Sequence, residues 1–151
     1  MDYADWNPIY EQIRADFEYD RAGDERARDV LAGYAVPFDL DRLPAADATV
    51  AIAGGASTLE DDLDVAAEAD FVFAASTAAD VLYGAGIQID LMVTDLDKNV
   101  ETAVAMTRAG RPVAVHAHGD NVPLLRRAVP QMTVENVLAT TQVAPVDAVD
   151  E

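Results

Sequence analysis

The first third of the chain has the spacing of helices. Trp6, Ile9, Tyr10, Ile13 and Phe17 recur at intervals of three and four, which predicts a helix with one apolar stripe. A second helix is predicted from Asp20 to Leu31, where Arg and Glu mix at short spacing as on a solvated face. Pro37 and Pro44 then break the pattern, so residues 1–47 are predicted to be a helical region that ends in a connector.

Apolar runs and helical patterns alternate over residues 48–142. The runs at 49–53, 71–74, 91–93, 112–115 and 134–139 are continuous rather than alternating, as expected when both faces of a parallel sheet are covered. Helical stretches are predicted between them at 58–67, 77–83, 99–109 and 120–128, the first with Thr58 as its N-cap. This order predicts an α/β fold: a Rossmann-like, doubly wound, mostly parallel sheet of about five strands with an N-terminal helical lead-in. Residues 143–151 are predicted to be a disordered acidic tail.

Polar residues follow each predicted strand. Because parallel strands place their carboxyl ends at one edge of the sheet, these segments are expected to converge on a ligand site. They are Gly54-Gly55-Ala56-Ser57-Thr58, Ala75-Ser76-Thr77, Thr94-Asp95-Leu96-Asp97, His116-Ala117-His118-Gly119-Asp120-Asn121 and Thr140-Thr141-Gln142.

The Gly54-Gly55 turn feeds the start of a predicted helix. Glycines let a backbone approach an anion, and free N–H groups at a helix start can bind it. The turn matches neither the dinucleotide fingerprint nor the phosphate-binding P-loop, so a plain strand-to-helix turn is the alternative interpretation.

Asp95 and Asp97 flank Leu96, and an extended turn directs both carboxylates to one side. Two carboxylates without a thiol suit a hard cation such as Mg²⁺, while a helix cap and a solvated carboxylate are the alternative. Lys98, the only lysine of the chain, follows them and is either a phosphate contact or an ordinary surface lysine.

His116 and His118 also share a side and are the only histidines of the chain. One interpretation is a His-x-His site for Zn²⁺ or Fe in a metal hydrolase, with Asp120 as a further ligand, although no third histidine exists. The other is hydrogen bonding to a substrate or phosphate. His116 can equally be a buried strand-end residue, and Asp120 and Asn121 can cap the next helix.

Composition narrows the function classes. The chain has 151 residues, enough for one domain, and 28 acidic against 10 basic residues give a net charge of −18, which disfavours binding to nucleic acid or anionic membranes. A nucleotide would need a local cation, for which a divalent metal is suited. No cysteine, signal peptide or membrane-length apolar run is present, so a cytoplasmic protein is expected; homo-oligomerisation stays open.

The Thr94-Asp95-Leu96-Asp97 and His116-Ala117-His118-Gly119-Asp120-Asn121 segments, at this separation, resemble the archaeal 6-hydroxymethyl-7,8-dihydropterin pyrophosphokinase family, fold relatives of thiamine pyrophosphokinase. The resemblance extends from Trp6 to Gln142. Relatives continue beyond this point, so a shortened member is expected.

The resemblance implies a reaction in methanopterin or folate biosynthesis, in which the terminal diphosphate of ATP passes to the hydroxymethyl group of a reduced pterin and AMP is released. It implies that Asp95 and Asp97 hold Mg–ATP, that Gly54, Gly55 and Thr58 border the phosphates, and that the histidine segment lines the active site. Asp95, Asp97, His118 and Asp120 are the predicted catalytic residues. Further predicted nucleotide or substrate contacts are Ser76, Thr94, Lys98, His116 and Asn121. A non-catalytic nucleotide- or pterin-binding domain is the alternative.

The acidic composition, with nine arginines and one lysine, predicts adaptation to high salt of the kind found in haloarchaea. Salt screens the mutual repulsion of surface carboxylates, so the unfolding midpoint is expected to rise from low to molar KCl. A midpoint that does not rise with KCl would identify an ordinary acidic protein instead.

Overall fold

The computed structural model describes residues 2–44 and 46–149. Two helices come first, α1 (Tyr3–Phe17) and α2 (Arg21–Ala32). Each is capped by an aspartate: Asp2 accepts a hydrogen bond from Asp5 N, and Asp20 accepts one from Ala22 N. The connector that follows contains one 3₁₀ turn, Leu40–Arg42.

Strands and helices then alternate as predicted. The strands are β1 (Val50–Ala53), β2 (Phe71–Ala75), β3 (Leu91–Thr94), β4 (Val113–Ala117) and β5 (Val137–Thr141). The helices between them are α3 (Leu63–Glu68), α4 (Ala78–Gly84), α5 (Val100–Arg108) and α6 (Val122–Ala128).

All five strands are parallel, and they lie in the order β1-β2-β3-β4-β5. The predicted α/β class, the five-stranded parallel sheet and the helical lead-in are confirmed. The order never reverses, unlike that of a doubly wound sheet. Crossovers between parallel strands are right-handed in nearly all proteins. Because the strand order here runs in one direction only, this rule places all the connecting helices on the same face of the sheet.

The two faces of the sheet are therefore buried unequally. The main core joins one face to α2–α6, with fully buried side chains such as Leu31, Leu82, Met92, Val115 and Leu125. On the other face a small cluster of Leu91, Ala114 and Leu138 is covered by Phe38 and Leu43 of the connector.

The rest of that second face is open. Ile52 is 81% exposed and Val93 is 41% exposed, although both lie in strands of the sheet. The polar ends of the strands lie next to this open area, which gives ligands a route to them.

Three local predictions need correction. Thr58 makes no side-chain cap, and a 3₁₀ turn at Leu59–Asp62 precedes the short α3. The last strand begins at Val137 because Val134–Asn136 forms a 3₁₀ turn.

The third correction concerns the predicted disordered tail. Val143 and Val149 are buried, and Arg28 donates a hydrogen bond to the carbonyl of Ala144, so residues 143–149 pack on the fold. Residues 150 and 151 lie outside the described part. Among residues 2–44 and 46–149, no helix has both the length and the apolarity needed to cross a membrane.

Candidate active site

The turn after β3 holds two carboxylates in a defined conformation. Leu96 has a positive φ of 66°, its side chain is fully buried, and its N–H donates to Thr94 Oγ1 at 2.9 Å. Asp97 N–H donates to Asp95 Oδ1 at 3.2 Å. With Leu96 in the core, the two flanking carboxyl groups lie side by side, as the sequence predicts.

The two carboxyl groups influence each other's ionisation. Burial alone raises the pKa of Asp95. Hydrogen bonds with Asp97, together with the electrostatic effect of the nearby His118, outweigh the effect of burial, so the pKa lies below its ordinary value. The pKa of Asp97 is raised, first by the hydrogen bond that its carboxyl shares with Asp95, then by desolvation and by the Asp95 charge. Two carboxylates this close favour a cation between them.

The turn after β2 presents an unsatisfied oxygen. Ser76 has a positive φ of 41°, which is strained for a serine, and its N–H donates to Val93 O at 2.7 Å. Its Oγ is buried and, within the described residues, has no hydrogen-bond partner. A buried hydroxyl without a partner calls for a ligand or water.

Gly55 approaches this turn from β1. A Cβ at position 55 would lie only 2.8 Å from Thr77 Oγ1, so any larger residue there would have to displace the Thr77 side chain. None of Gly54, Gly55 and Ala56 has a positive φ, so the turn needs no left-handed residue there.

These turns surround a cleft of about 490 Å³, within the usual range for ligand sites. It collects six of the predicted contacts from β2, β3 and β4, together with Gly55 from the β1 turn. The lining includes Gly55, Ser76, Thr94, Asp95, Asp97, Lys98 and His116. Val93 and Ala75 also line it, so the cleft opens towards the uncovered face of the sheet.

His116 lies at the end of β4, and its Nδ1 is 3.1 Å from Thr140 Oγ1. The Thr140 hydroxyl donates to Val115 O, so the ring nitrogen is the donor in this pair. Burial lowers the pKa of His116; hydrogen bonding to Gln142 opposes this shift but does not cancel it. The imidazole is therefore held neutral.

Asn121 joins the β4 turn to the β3 turn. Its side chain is buried, its Nδ2 donates to Asp95 O at 2.9 Å and to His116 O at 2.7 Å, and its Oδ1 accepts from His118 N at 3.1 Å. This linkage brings His118 Nε2 to 3.5 Å from Asp95 Oδ2. Asn121 thus organises the site, and both of its amide donors are used within the protein. Its contact with a ligand stays a prediction.

A second cleft of about 380 Å³ lies on the other side of the histidine turn, between that turn and the start of α2. His118, Asp120 and Gln142 line it together with Tyr19, Asp20 and Asp24. Asp24 is only 4% exposed and was not among the residues predicted from the sequence. The sequence around Asp24 does not mark it as a site residue, because an acidic residue on a charged helix is usually exposed to solvent.

Two predicted phosphate contacts lie elsewhere. Gly54 and Thr58 are exposed and line a third cleft, against β1 and α3, rather than the one that contains Asp95. The cause is the strand order, since β1 is the edge strand and only Gly55 of its turn reaches inward.

The donor set fits a hard cation better than Zn²⁺ or Fe. Over residues 2–44 and 46–149, no three His, Cys, Asp or Glu side chains are grouped as metal ligands. The Asp95–Asp97 pair suits Mg²⁺, which typically takes one or two protein carboxylates and completes its shell with substrate phosphates and water. The orphaned Ser76 hydroxyl beside the pair fits a phosphate-bearing ligand.

Three curated proteins that share one name are similar in sequence to the chain. The chain is 30% identical to a curated 6-hydroxymethyl-7,8-dihydropterin pyrophosphokinase of Methanothermobacter thermautotrophicus, over 96% of the chain and 64% of the relative. Identity to the protein of that name is 25% in Methanocaldococcus jannaschii (95% and 63%) and 32% in Pyrococcus furiosus (99% and 65%). The chain is related to archaeal 6-hydroxymethyl-7,8-dihydropterin pyrophosphokinases.

The relationship predicted from the two motifs is thereby confirmed. The chain spans slightly less than two thirds of the length of these pyrophosphokinases. No protein-family model matches the chain.

The buried environment of His116 predicts that its imidazole titrates at a lowered pKa. One of the two histidine ring signals should titrate in NMR below the ordinary value of 6.5 and be absent from a His116→Gln variant. Because folding favours the neutral ring, its contribution to stability is fully present above the unfolded value of 6.5 and is lost as the pH falls from there through the lower pKa of the folded protein. A His116 midpoint at or above 6.5 would contradict the burial argument.

Proposed function

We propose that the chain transfers the terminal diphosphate of ATP to the hydroxymethyl group of a reduced pterin and releases AMP. The observation that carries the proposal is the pairing of Asp95 and Asp97 beside the orphaned Ser76 hydroxyl, with His118 in contact with Asp95. The named activity of the relatives supports the reaction, and the presence of two clefts supports a separate location for each substrate.

The phosphates of ATP belong in the 490 Å³ cleft. Ser76 Oγ is available to donate to a phosphate oxygen, and Gly55 leaves room that a side chain would fill. Lys98 is the only lysine or arginine among the described residues that line the cleft, and it offsets the repulsion of a chain with net charge −18.

A magnesium ion fits this side of the site. Asp95 and Asp97 would hold it, and it would neutralise charge on the phosphate oxygens. The pKa of Asp97 is raised first by its hydrogen bond to Asp95, then by desolvation and by the Asp95 charge. A cation bound between the two groups would favour the ionised form of both.

The acceptor belongs in the 380 Å³ cleft beside the histidine turn. Three carboxylates, Asp20, Asp24 and Asp120, line it against one cation, Arg26, which pairs with Asp20. The excess of negative charge disfavours phosphate and favours a group rich in N–H donors, such as the amino-pyrimidinone ring of a pterin. His118 borders this cleft and contacts Asp95 of the other, which places it between donor and acceptor.

Diphosphate transfer then follows from the positions of the two substrates in neighbouring clefts. The hydroxymethyl oxygen attacks the β-phosphorus, the bond from that phosphorus to the oxygen bridging the α-phosphorus breaks, and AMP leaves. The hydroxyl proton passes to His118, whose positive charge the Asp95 carboxylate stabilises. Most of the acceleration comes from alignment and electrostatics, because phosphoryl transfer needs little other chemistry from a protein.

The alternative is a domain that binds nucleotide or pterin without turnover. Calorimetry that detects binding of both ligands, with no AMP formed, would select this alternative.

An AMP-release assay with one matched pair of variants tests the proposal. Folded protein in high salt should form AMP only when ATP, Mg²⁺ and 6-hydroxymethyl-7,8-dihydropterin are all present. Asp97→Asn should lower kcat by about 100- to 1,000-fold, the scale of losing one strong electrostatic contact in a transition state.

The control is Asp64→Asn, the same substitution at an exposed position of α3. It should leave kcat unchanged. An equal effect of both substitutions would remove Asp97 from the site, and absence of AMP from folded wild-type protein would overturn the proposed activity.

A further inference from the structure

Asp24 is a buried carboxylate in the wall of the acceptor cleft, and no step of the proposed transfer passes through it. It lies in the first turn of α2, where the helix dipole favours negative charge, and it is 4% exposed. Tyr10 Oη donates to its Oδ2, and Gly119 N–H donates to its Oδ1 at 2.7 Å. Each oxygen therefore has a partner, which keeps the buried charge stable.

Two glycine backbones approach each other closely beside Asp24. Gly23 and Gly119 pack backbone against backbone: a Cβ at Gly119 would lie 3.2 Å from Gly23 C, and one at Gly23 would lie 3.3 Å from Gly119 Cα. Both distances are tighter than ordinary van der Waals contact. The start of α2 is thus pressed directly against the histidine turn.

Gly119 lies between the two candidate groups of the acceptor cleft, His118 and Asp120. On the sheet side, Asn121 Oδ1 holds the N–H of His118. On the helix side, Asp24 holds the N–H of Gly119, and it is the only side chain of α1 or α2 that bonds the turn within the described residues. The turn is therefore fixed from two directions by two buried side chains.

We propose that Asp24 is a positioning residue: its carboxylate fixes the Gly119 N–H and so sets where His118 and Asp120 stand relative to the acceptor. The kinetic part of this inference rests on the proposed function; the structural part does not. Tyr10 supplies the hydrogen bond to the second oxygen of Asp24, the one that does not contact Gly119.

The direct test is NMR of the Gly119 amide. A short hydrogen bond to a carboxylate shifts an amide proton downfield. The wild-type Gly119 signal should be downfield and should move upfield in Asp24→Asn. Asp29→Asn is the matched control, because Asp29 is an exposed residue of the same helix whose carboxylate pairs with the neighbouring Arg28.

Kinetics separate positioning from loss of stability. Asp24→Asn should lower kcat by about 10- to 100-fold, the scale seen when a residue that orients a site is lost. KM for ATP should change little, because Asp24 does not line the 490 Å³ cleft. Tyr10→Phe removes the other hydrogen bond of Asp24 but keeps the one to Gly119, so it should retain the downfield signal and most of kcat.

Three results would overturn the inference. They are a wild-type Gly119 proton without the downfield shift, a shift that Asp24→Asn leaves unchanged, and equal losses of kcat in Asp24→Asn and Tyr10→Phe. The first needs no variant, so it decides the matter even if Asp24→Asn fails to fold. If folded wild-type protein releases no AMP, the proposed function fails while the NMR result still decides the role of Asp24.

Discussion

The candidate site depends on the buried amide of Asn121. Its three hydrogen bonds connect the backbone of the β3 turn at Asp95 to the backbone of the β4 turn at His116 and His118. Without this connection the two turns would be separate loops at neighbouring strand ends. An unsatisfied buried amide is costly, so the three partners hold one another in a single arrangement. The proximity of His118 to Asp95 follows from it, as does the separation of the site into two clefts on either side of the histidine turn.

The strand order determines where this arrangement opens. Because the strands follow one another without reversal, the helices cover one face of the sheet and the other face stays partly bare. Val93 belongs to that bare face and also lines the 490 Å³ cleft. The cleft therefore does not depend on a reversal of strand order, which is where doubly wound folds bind ligands. It depends on the turns after β2, β3 and β4 and on the helical lead-in that packs against the last of them.

Much of this could be predicted from the sequence, because periodicity and strand-end chemistry are local. The five strands, the parallel sheet and the meeting of Asp95 with Asp97 follow from neighbouring residues. Strand order is not local, and it is the edge position of β1 that removes Gly54 from the site. Asp24 could not be predicted either, since it bonds a residue 95 positions away and sits in a pattern typical of a solvated helix.

The central claim is that one cleft holds the transferred phosphates between Asp95, Asp97 and Ser76. It is tested most directly by a crystal structure with Mg²⁺ and an ATP analogue in which a methylene group replaces the oxygen between the α- and β-phosphorus. The account predicts the metal on Asp95 and Asp97 and a β- or γ-phosphate oxygen within hydrogen-bond distance of Ser76 Oγ. Phosphates in another cleft, or a metal held by His116 and His118, would contradict it.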